Sequence, residues 1–343
     1  MTDLHSQLAP VAKIPPRKSK IPVLECLRIG GGQAVATDLD MEVAAQIPEL
    51  DSEPVCVPAK PLMAALAAVG NGRLAVTDDK AIVSGDRGEI KIGLVKDEGW
   101  PEMAPVVSES YKPVRVSTSA RDALARLLPT VCRDGIRCYL NGIAFVDGHA
   151  VSTDRHRLRS VPMWQANGAG KDIILGYAAA RWVAAMKGDF DLDVGAKGFA
   201  FANGYVNACG RTIDGTYVDW RRAIRSTESA PTRAVFSAED MREALMAVVP
   251  FAEGRGKGVK LTIEGGKIAI ETKQIIFDIE ARAEINAATS GNRFSVGFNG
   301  KYLLDMIGRA PATVAMVIGT PDDPCRFVFD GSDDIVVLMP MRV

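Results

Sequence analysis

The chain has 343 residues, of which 47% are hydrophobic and 24% are charged, and its formal net charge at pH 7 is -1. This composition is typical of a folded protein long enough for two or three domains, and it excludes a disordered chain. The nearly neutral charge argues against a protein that coats nucleic acid by bulk attraction, although it leaves room for a local basic surface.

Membrane, metal and cofactor functions find little support in the sequence. No stretch approaches the roughly 20 apolar residues of a membrane span, and the N-terminus lacks the basic-then-apolar order of a signal peptide. We therefore expect a cytoplasmic protein with no membrane partner. The six cysteines are scattered, with no CxxC pair and no histidine at ligand spacing. We expect no metal site, no disulfide framework and no cofactor, and we interpret the thiols as reduced and mostly buried.

Helical patterns of two kinds follow one another along the chain. Two of these helices open with Ser-Ala-x-Asp at Ser119 and Ser237, where the serine is a plausible N-cap with an acidic residue three positions on. The others follow an extended entry in VPAKPLMAAL, ILGYAAARWVAAM and VGFNGKYLLDMI, in which Pro58, Gly176 and Phe298 occupy equivalent points. Short runs of alternating or β-branched residues between the helices predict strands. These runs are residues 81–85, 89–95, 199–210, 259–265, 267–272, 275–285, 314–319 and 326–331.

The helical patterns and one strand motif repeat at a common spacing. The two serine-capped helices lie about 118 residues apart, and the equivalent points of the other helices are separated by about 118 and about 122 residues. Thr37 in AVATDLDMEV and Thr153 in AVSTDRHRL are about 116 residues apart. The period predicts three α+β domains with two helices each, over residues 1–112, 113–231 and 232–343, with joints near Pro113 and Pro231.

The order of these motifs resembles that of the bacterial DNA polymerase III beta subunits, the sliding clamps. The resemblance covers essentially the whole chain and rests on KIPVLECLRI, ATDLDMEV, VPAKPL, YLNGIAF, TDRHRL, GTYVDWRRAI, VGFNGKYLLDMI and the terminal VVLMPMRV. It implies an α+β fold of three topologically similar domains, each with two helices on antiparallel sheets, that forms half of a ring. It also implies a non-catalytic homodimer that encircles duplex DNA without sequence preference. Its other partners would be the polymerase III catalytic subunit, the clamp loader and repair proteins, all bound through short peptide motifs.

The resemblance assigns the peptide-binding pocket to three segments, of which the last is the C-terminal tail. The implied residues are Leu140, Thr153, Arg155, His156, Arg157, Leu158, Val218, Arg222, Ala223, Val337, Met339, Pro340, Met341 and Arg342. The tail residues alone favour a final strand that ends near Met339, because Pro340 cannot donate to a ladder, with Val337, Met339 and Met341 on one side by alternation. Arg155 replaces a usual glycine and Val218 a usual proline, so we expect the peptide to keep apolar anchors and to gain from an acidic residue.

Other positions are implied to contact DNA or a second subunit. Arg17, Lys18 and Lys20 in PPRKSK match one DNA-facing loop, and Arg137 with Tyr139 match another, in which Cys138 stands where an aromatic residue is usual. Solvated basic loops are the alternative interpretation. Cations on helices are weaker candidates for the same surface, namely Arg121, Arg126, Arg181, Lys187, Arg242 and Lys301. The dimer seam is assigned to Ile90, Ile92, Pro250 and Phe251, for which burial inside their own domains is the alternative.

Two departures and two other functions stay open. Almost nothing precedes Leu4, so we expect domain 1 to lack the family's first strand. A clamp-like interaction hub or mobile-element paralogue would keep the pocket but no longer encircle DNA. A hydrolase that uses Asp154 and His156 is the third hypothesis, but no Gly-x-Ser-x-Gly motif accompanies that pair.

Overall fold

The structure is a computed structural model that describes residues 3–103, 112–163, 173–195, 197–254, 256–308 and 313–343. The α-helices of these ranges are, in chain order, α1 (Leu4–Leu8), α2 (Ala59–Val69), α3 (Thr118–Leu127), α4 (Tyr177–Ala185), α5 (Trp220–Glu228), α6 (Ala238–Val248) and α7 (Gly300–Ile307). Within the same ranges, every helix is too short or too polar to cross a membrane.

Antiparallel strands make up most of the remaining structure. In chain order they are β1 (Cys26–Gly30), β2 (Gln33–Thr37), β3 (Met41–Gln46), β4 (Val55–Pro58), β5 (Arg73–Val76), β6 (Lys80–Gly85), β7 (Gly88–Gly93), β8 (Lys112–Val116), β9 (Gly142–Val146), β10 (His149–Thr153), β11 (Arg157–Pro162), β12 (Ile173–Gly176), β13 (Phe190–Gly195), β14 (Gly198–Ala202), β15 (Val206–Arg211), β16 (Thr232–Ser237), β17 (Gly258–Glu264), β18 (Lys267–Gln274), β19 (Ile279–Thr289), β20 (Phe294–Asn299), β21 (Thr313–Val317), β22 (Cys325–Phe329) and β23 (Ile335–Leu338).

The chain forms two compact units, and each is interrupted in sequence. The first unit comprises Met1–Asp122 and Gly168–Asp214, and the second comprises Ala123–Asn167 and Gly215–Val343. The division into three domains stays a prediction, and its first joint, just before Pro113, lies partly outside the described residues.

The first unit is built on a sheet with the strand order β4-β1-β2-β3-β15-β14-β13-β8, and a separate sheet has the order β5-β6-β7. Its interior includes a chain of edge-to-face aromatic contacts, in which Phe201 lies 5.7 Å from Trp182 and 5.1 Å from Phe190 between ring centres. The Trp182 indole N–H donates to the Pro10 carbonyl at 3.1 Å, and the Tyr205 hydroxyl donates to the Gln7 carbonyl at 2.7 Å. These bonds hold the N-terminal segment on the core of this unit.

The second unit is built on a sheet with the strand order β9-β10-β11-β23-β22-β21-β16-β19-β18-β17-β20. Helices α6 and α7 pack their apolar faces on this sheet through residues such as Met241, Leu245 and Leu303, all of which are buried. The last strand of the chain, β23, lies inside the sheet between β11 and β22. The C-terminal tail is therefore a strand of the sheet up to Leu338, as the tail residues predicted.

The helix predictions are confirmed with two local corrections. The Ser237 hydroxyl accepts the Asp240 N–H at the start of α6, as its motif predicted. The predicted cap at Ser119 is wrong, because α3 already begins at Thr118 and Ser117 Oγ accepts the Ala120 N–H at 3.2 Å. The equivalent entry into α7 is Asn299 rather than Phe298, because the Asn299 side chain accepts the Tyr302 N–H at 3.0 Å.

The predicted strands are confirmed apart from some run ends and from residues 203–205, which separate β14 from β15. The other exception is residues 275–277. These residues form the turn between β18 and β19, and the side chains of Ile275, Ile276 and Phe277 are 82%, 73% and 71% exposed. Asp278 closes the turn with φ of 50°, a conformation that a continuing strand does not use. The apolar run misled the prediction because the turn carries no Gly or Pro.

Candidate functional site

A cavity of about 500 Å³ in the second unit brings together most of the residues assigned to the peptide pocket. Its lining consists of Arg137, Tyr139, Leu140, Thr153, Arg155, Arg157, Leu158, Val218, Asp219, Trp220, Arg222, Ala223, Val337 and Met339. Apart from Arg137, Tyr139, Asp219 and Trp220, every one of these residues was assigned to the pocket. Arg137 and Tyr139, which the resemblance assigned to DNA, line the same cavity.

The floor of the cavity is apolar because β23 completes the sheet beside β11. Leu158 lies opposite Val337 in the strand register, and both side chains are buried, as is Leu140. Beyond β23, the Met339 N–H still donates to the His156 carbonyl at 2.8 Å, so Met339 is fixed at the cavity edge with 37% of its surface exposed. Half-exposed apolar side chains around a buried floor are typical of a docking surface for an apolar ligand.

Arg157 fixes one wall of the cavity through a charge network. Its Nε lies 2.9 Å from an Asp154 carboxylate oxygen, and its Nη1 lies 3.0 Å from Asp305. The guanidinium also stacks 4.0 Å from the centre of the Tyr302 ring, and Arg157 is only 8% exposed. Its charge is thus compensated inside the protein, so we expect Arg157 to hold the wall in place rather than to pair with a ligand.

Arg155 occupies a turn that favours glycine. Its φ is 75°, which lies in the left-handed region that side chains other than Gly, Asn and Asp rarely adopt. The Arg155 N–H donates to Thr153 Oγ1 at 3.0 Å, and Asp154 Oδ1 accepts the N–H groups of His156 and Arg157, also at 3.0 Å. The turn is therefore held by its own side chains, and Arg155 is presented at the cavity with its side chain exposed.

The last residues of the tail lie apart from this cavity. Met341, Arg342 and Val343 line a second cavity of about 600 Å³ in the same unit. The Met341 N–H donates to the Gly297 carbonyl at 2.9 Å, so the tail follows β20 after Pro340. Among the lining residues described for the two cavities, neither His156 nor Pro340 occurs. The structure thus separates the tail residues that the resemblance had grouped in one pocket.

His149 supports the side of the cavity formed by Trp220. Its ring centre lies 5.1 Å from that of Trp220, and its Nδ1 is 3.0 Å from the Ser160 hydroxyl oxygen. Burial and the nearby Arg221 guanidinium lower the pKa of His149, against a smaller opposing effect of Asp147. We therefore expect a neutral imidazole at pH 7, which packs against Trp220.

In the first unit, the PPRKSK loop presents its cations to solvent. Arg17, Lys18 and Lys20 are exposed, and no acidic partner for them occurs in the described part of the chain. The Ser19 N–H donates to the Glu25 carboxylate at 2.6 Å and so anchors the loop between these cations. An anchored loop with unpaired cations is suited to contact phosphates.

A second basic cluster of the first unit was only partly predicted. The Lys13 Nζ donates to the Ala185 carbonyl at 3.3 Å, and the Arg181 guanidinium donates to the Lys13 carbonyl at 2.5 Å. Burial lowers the pKa of Lys13, and the positive charges of Lys187 and Arg181 add to this effect. Sequence reasoning named Arg181 and Lys187 but missed Lys13, because nothing local in the sequence links residue 13 to α4.

Other predicted cations are already engaged in their own units. Arg126 forms an ion pair with Asp334 at 2.9 Å, and Arg121 donates to the Met186 carbonyl. Both guanidinium groups would have to leave these partners before they could contact phosphates.

The residues assigned to the dimer seam differ in exposure. Ile90, on the outer strand β7 of the β5-β6-β7 sheet, is 37% exposed, whereas Ile92 on the same strand is 8% exposed. Phe251 is 46% exposed and Pro250 is also exposed, both in the short 3-10 turn Val249–Phe251. The seam stays a prediction, with Ile92 placed behind the surface rather than on it.

The cysteines are free, and four of the six are buried. Burial raises the pKa of Cys26 to about 11, so this thiol is not a nucleophile at pH 7. Over the described ranges, no cluster of three or more His, Cys, Asp or Glu side chains is placed to hold a metal ion.

Comparison with known proteins gives one family throughout. Residues 228–342 match the family model of the DNA polymerase III beta subunit, C-terminal domain. The beta sliding clamp of Pseudomonas aeruginosa is 25% identical, over 97% of this chain and 96% of its own length. That of Caulobacter vibrioides is 24% identical, over 99% and 98%. Over nearly its whole length the chain is therefore similar to beta sliding clamps.

Solved structures of clamps share the fold. The DNA polymerase III beta subunit of Thermotoga maritima matches with a TM-score of 0.82 at 20% identity, over 99% of this chain and 97% of that one. A sliding clamp of Bartonella birtlesii bound to griselimycin matches with a TM-score of 0.81 at 23% identity, over the same shares. The expected α+β clamp fold is confirmed.

Proposed function

We propose that this chain is a DNA sliding clamp, a homodimeric ring that encircles duplex DNA and tethers a replicative polymerase and other proteins. The observation that carries the proposal is the sequence similarity to the beta sliding clamp of Pseudomonas aeruginosa, which extends over 97% of this chain and 96% of that protein. The clamp catalyses nothing itself and acts in the cytoplasm. Its effect is topological, because a ring that cannot leave DNA sideways keeps a weakly bound polymerase at high effective concentration near the primer end.

DNA contact is proposed for the basic surfaces of the first unit and for one loop of the second. Arg17, Lys18 and Lys20 would bind phosphates without reading sequence, and the cluster around Lys13 would add to this attraction. Tyr139 and Arg137 would form the second contact, with Tyr139 offering a ring on which an exposed base can stack. Replacing Lys18 and Lys20 by glutamine should weaken binding of any duplex to a similar extent and reduce its salt dependence.

The peptide-binding role is proposed for the cavity floored by Leu140, Leu158 and Val337. A buried apolar floor with half-exposed Met339 at its edge suits short apolar anchors of the polymerase, the clamp loader and repair proteins. The proposal also includes His156, Pro340, Met341 and Arg342, which would contact the part of a bound peptide that extends beyond this cavity.

The homodimer is proposed to close through Ile90 on one subunit and Phe251 on the other, with Pro250 beside it and Ile92 beneath. Such a contact is heterologous and closes by twofold repetition. Native mass spectrometry at micromolar concentration should give twice the 36.7 kDa mass of the chain. Phe251→Lys should shift the population toward monomer while the circular dichroism spectrum stays unchanged. A wild-type monomer that still binds peptide would favour the clamp-like hub instead.

A further inference from the structure

We infer that the cavity around Leu140 and Val337 selects peptides that carry acidic residues beside their apolar anchors. This inference rests on the proposed peptide-binding function and adds the charge of the partner. It depends on the arginines around the cavity, on which of them are already neutralised, and on the backbone at Arg155.

The rim of the cavity carries more unpaired positive than negative charge. Arg137, Arg155 and Arg222 line the cavity, and none of their guanidinium groups has a hydrogen bond or ion pair within the described residues. Arg222 and Arg155 are exposed, and Arg137 is half-buried. The carboxylate among the lining residues is Asp219, so this rim has an excess of cations.

Arg157 lines the same cavity but differs from the rim arginines, because its charge is neutralised by carboxylates of the protein. Its guanidinium already binds Asp154 and Asp305, so it offers no free charge to a ligand. The fold supplies carboxylates for the arginine that holds the wall, and leaves the rim arginines without them. A ligand that brings its own carboxylates would complete the pairing.

The backbone conformation of Arg155 also supports a contact with a ligand. Arg155 has φ of 75°, a conformation that glycine adopts freely and that arginine rarely adopts. The turn itself is held by Thr153 and Asp154, whereas the Arg155 guanidinium lies at the cavity and has no partner among the described residues. A contact with a ligand is a physical reason for an arginine at this position.

The expected contribution of each rim charge is modest. Apolar anchors in the buried floor should dominate affinity, whereas exposed ion pairs contribute little individually and are screened by salt. With three arginines facing two ligand carboxylates, we expect a preference of about tenfold at low salt that shrinks to about twofold at 0.5 M salt.

The test is a titration with two matched peptides. The acidic probe is Ser-Asp-Leu-Ala-Phe-Asp-Gly with fluorescein at its N-terminus and an amide at its C-terminus. The neutral probe carries the same label and amide and has Asn in place of both Asp residues. Fluorescence anisotropy gives the dissociation constant of each for the full-length protein at 50 mM and 500 mM salt. The ratio of the two constants reports the charge preference independently of the anchors.

Variants locate the preference on the rim. Arg155→Gln and Arg222→Gln should each weaken the acidic probe about threefold and the neutral probe by less than 1.5-fold. Arg155→Lys should retain most of the preference because it keeps the charge. Arg225→Gln is the matched control, since Arg225 is exposed on the same helix α5 but does not line the cavity.

The outcomes separate the inference from the function on which it rests. Equal affinity of wild-type protein for both probes overturns the acidic preference and leaves the pocket standing. A preference that Arg225→Gln removes as strongly as Arg155→Gln overturns the assignment to the rim. If neither probe binds the wild type at 100 µM, the peptide-binding function itself is overturned together with the inference.

Discussion

The two halves of the C-terminal tail have a similar apolar composition but different positions in the structure. Val337 and Met339 belong to the half that pairs with β11 and lines the cavity of the rim arginines. Met341 and Val343 belong to the half that follows β20 and packs against glycines. Similar side chains therefore line the proposed binding cavity in one half and lie against glycines beside β20 in the other.

The boundary between the halves has an evident cause. Pro340 has no N–H to donate, so the ladder with β11 stops after the bond from Met339. Beyond it, Gly258 and Gly297 leave room that Val343 fills, and a Cβ at Gly297 would lie 2.3 Å from the Met341 carbonyl oxygen. A proline and two glycines, rather than hydrophobicity, decide where the apolar tail residues lie.

The largest effect should follow from Arg157→Leu, which removes the charge that ties the start of β11 to Asp154 and to Asp305 on α7. Asp154 and Asp305 would lose their compensating charge, and breaking a largely buried ion network costs about 3 kcal/mol of unfolding free energy. Urea unfolding followed by fluorescence measures this, and binding of the neutral apolar probe should weaken in parallel. Asp305→Asn, at a more exposed partner, should cost clearly less, and a loss below about 1 kcal/mol for Arg157→Leu would contradict the network.

Sequence patterns predicted much of the fold, and the resemblance to clamps named the residues that line the cavity floor, but neither identified contacts between segments distant in sequence. Local patterns sufficed for the helix entry at Gly176 and for the cap at Ser237, because capping and periodicity act over a few residues. The pairing of Arg157 with Asp305 and the approach of Lys13 to Arg181 join distant segments, and no local pattern contains them. Pro340 correctly predicted that the last strand ends near Met339, but alternation could not place Met341 beyond that proline, where it lines a different cavity from Val337 and Met339.

The second-largest effect should follow from Gly297→Ala, which affects only the distal half of the tail. The new Cβ would collide with the Met341 backbone, so the tail must shift, at a cost of about 2 kcal/mol of unfolding free energy. Affinity for the neutral probe should change less than twofold, because β23 still fixes Val337 and Met339. Gly256→Ala is the matched control, because the nearest atom there is the flexible end of the Met341 side chain, at 3.0 Å. A tenfold loss of affinity in Gly297→Ala would show that the halves act together.

Met339→Ala should weaken peptide binding and leave stability nearly unchanged, which is the reverse of the effect expected for Gly297→Ala. Met339 is 37% exposed, so its truncation should cost less than about 1 kcal/mol of stability. Loss of an anchor-binding side chain at the cavity edge should weaken both the acidic and the neutral probe about tenfold, and equally. Anisotropy titration measures the affinity, and urea unfolding of the same preparation measures the stability. Unchanged affinity for both probes would refute the expectation.

The smallest effect concerns pH and His149. Because the folded-state pKa of His149 is lowered from its ordinary value of 6.5, the unfolded chain takes up the proton first as the pH falls. Its contribution to stability is therefore fully present above pH 6.5 and is lost as the pH falls below that value toward the lowered pKa. His149→Gln should make the decline of unfolding free energy between pH 7.5 and 5.5 shallower. An unchanged decline would show that protonation of His149 does not contribute to the loss of stability at low pH.

The most direct test of a clamp is its retention on DNA whose ends are closed or open. Labelled protein is loaded on a nicked circular plasmid and passed through a sizing column at about 0.5 M salt, which screens simple phosphate contacts. The plasmid is then cut once by a restriction enzyme and the column is repeated. A ring that encircles the duplex stays with the circle and is lost from the linear form. Equal retention on both forms, or equal loss from both, would contradict encirclement and leave the chain a clamp in fold alone.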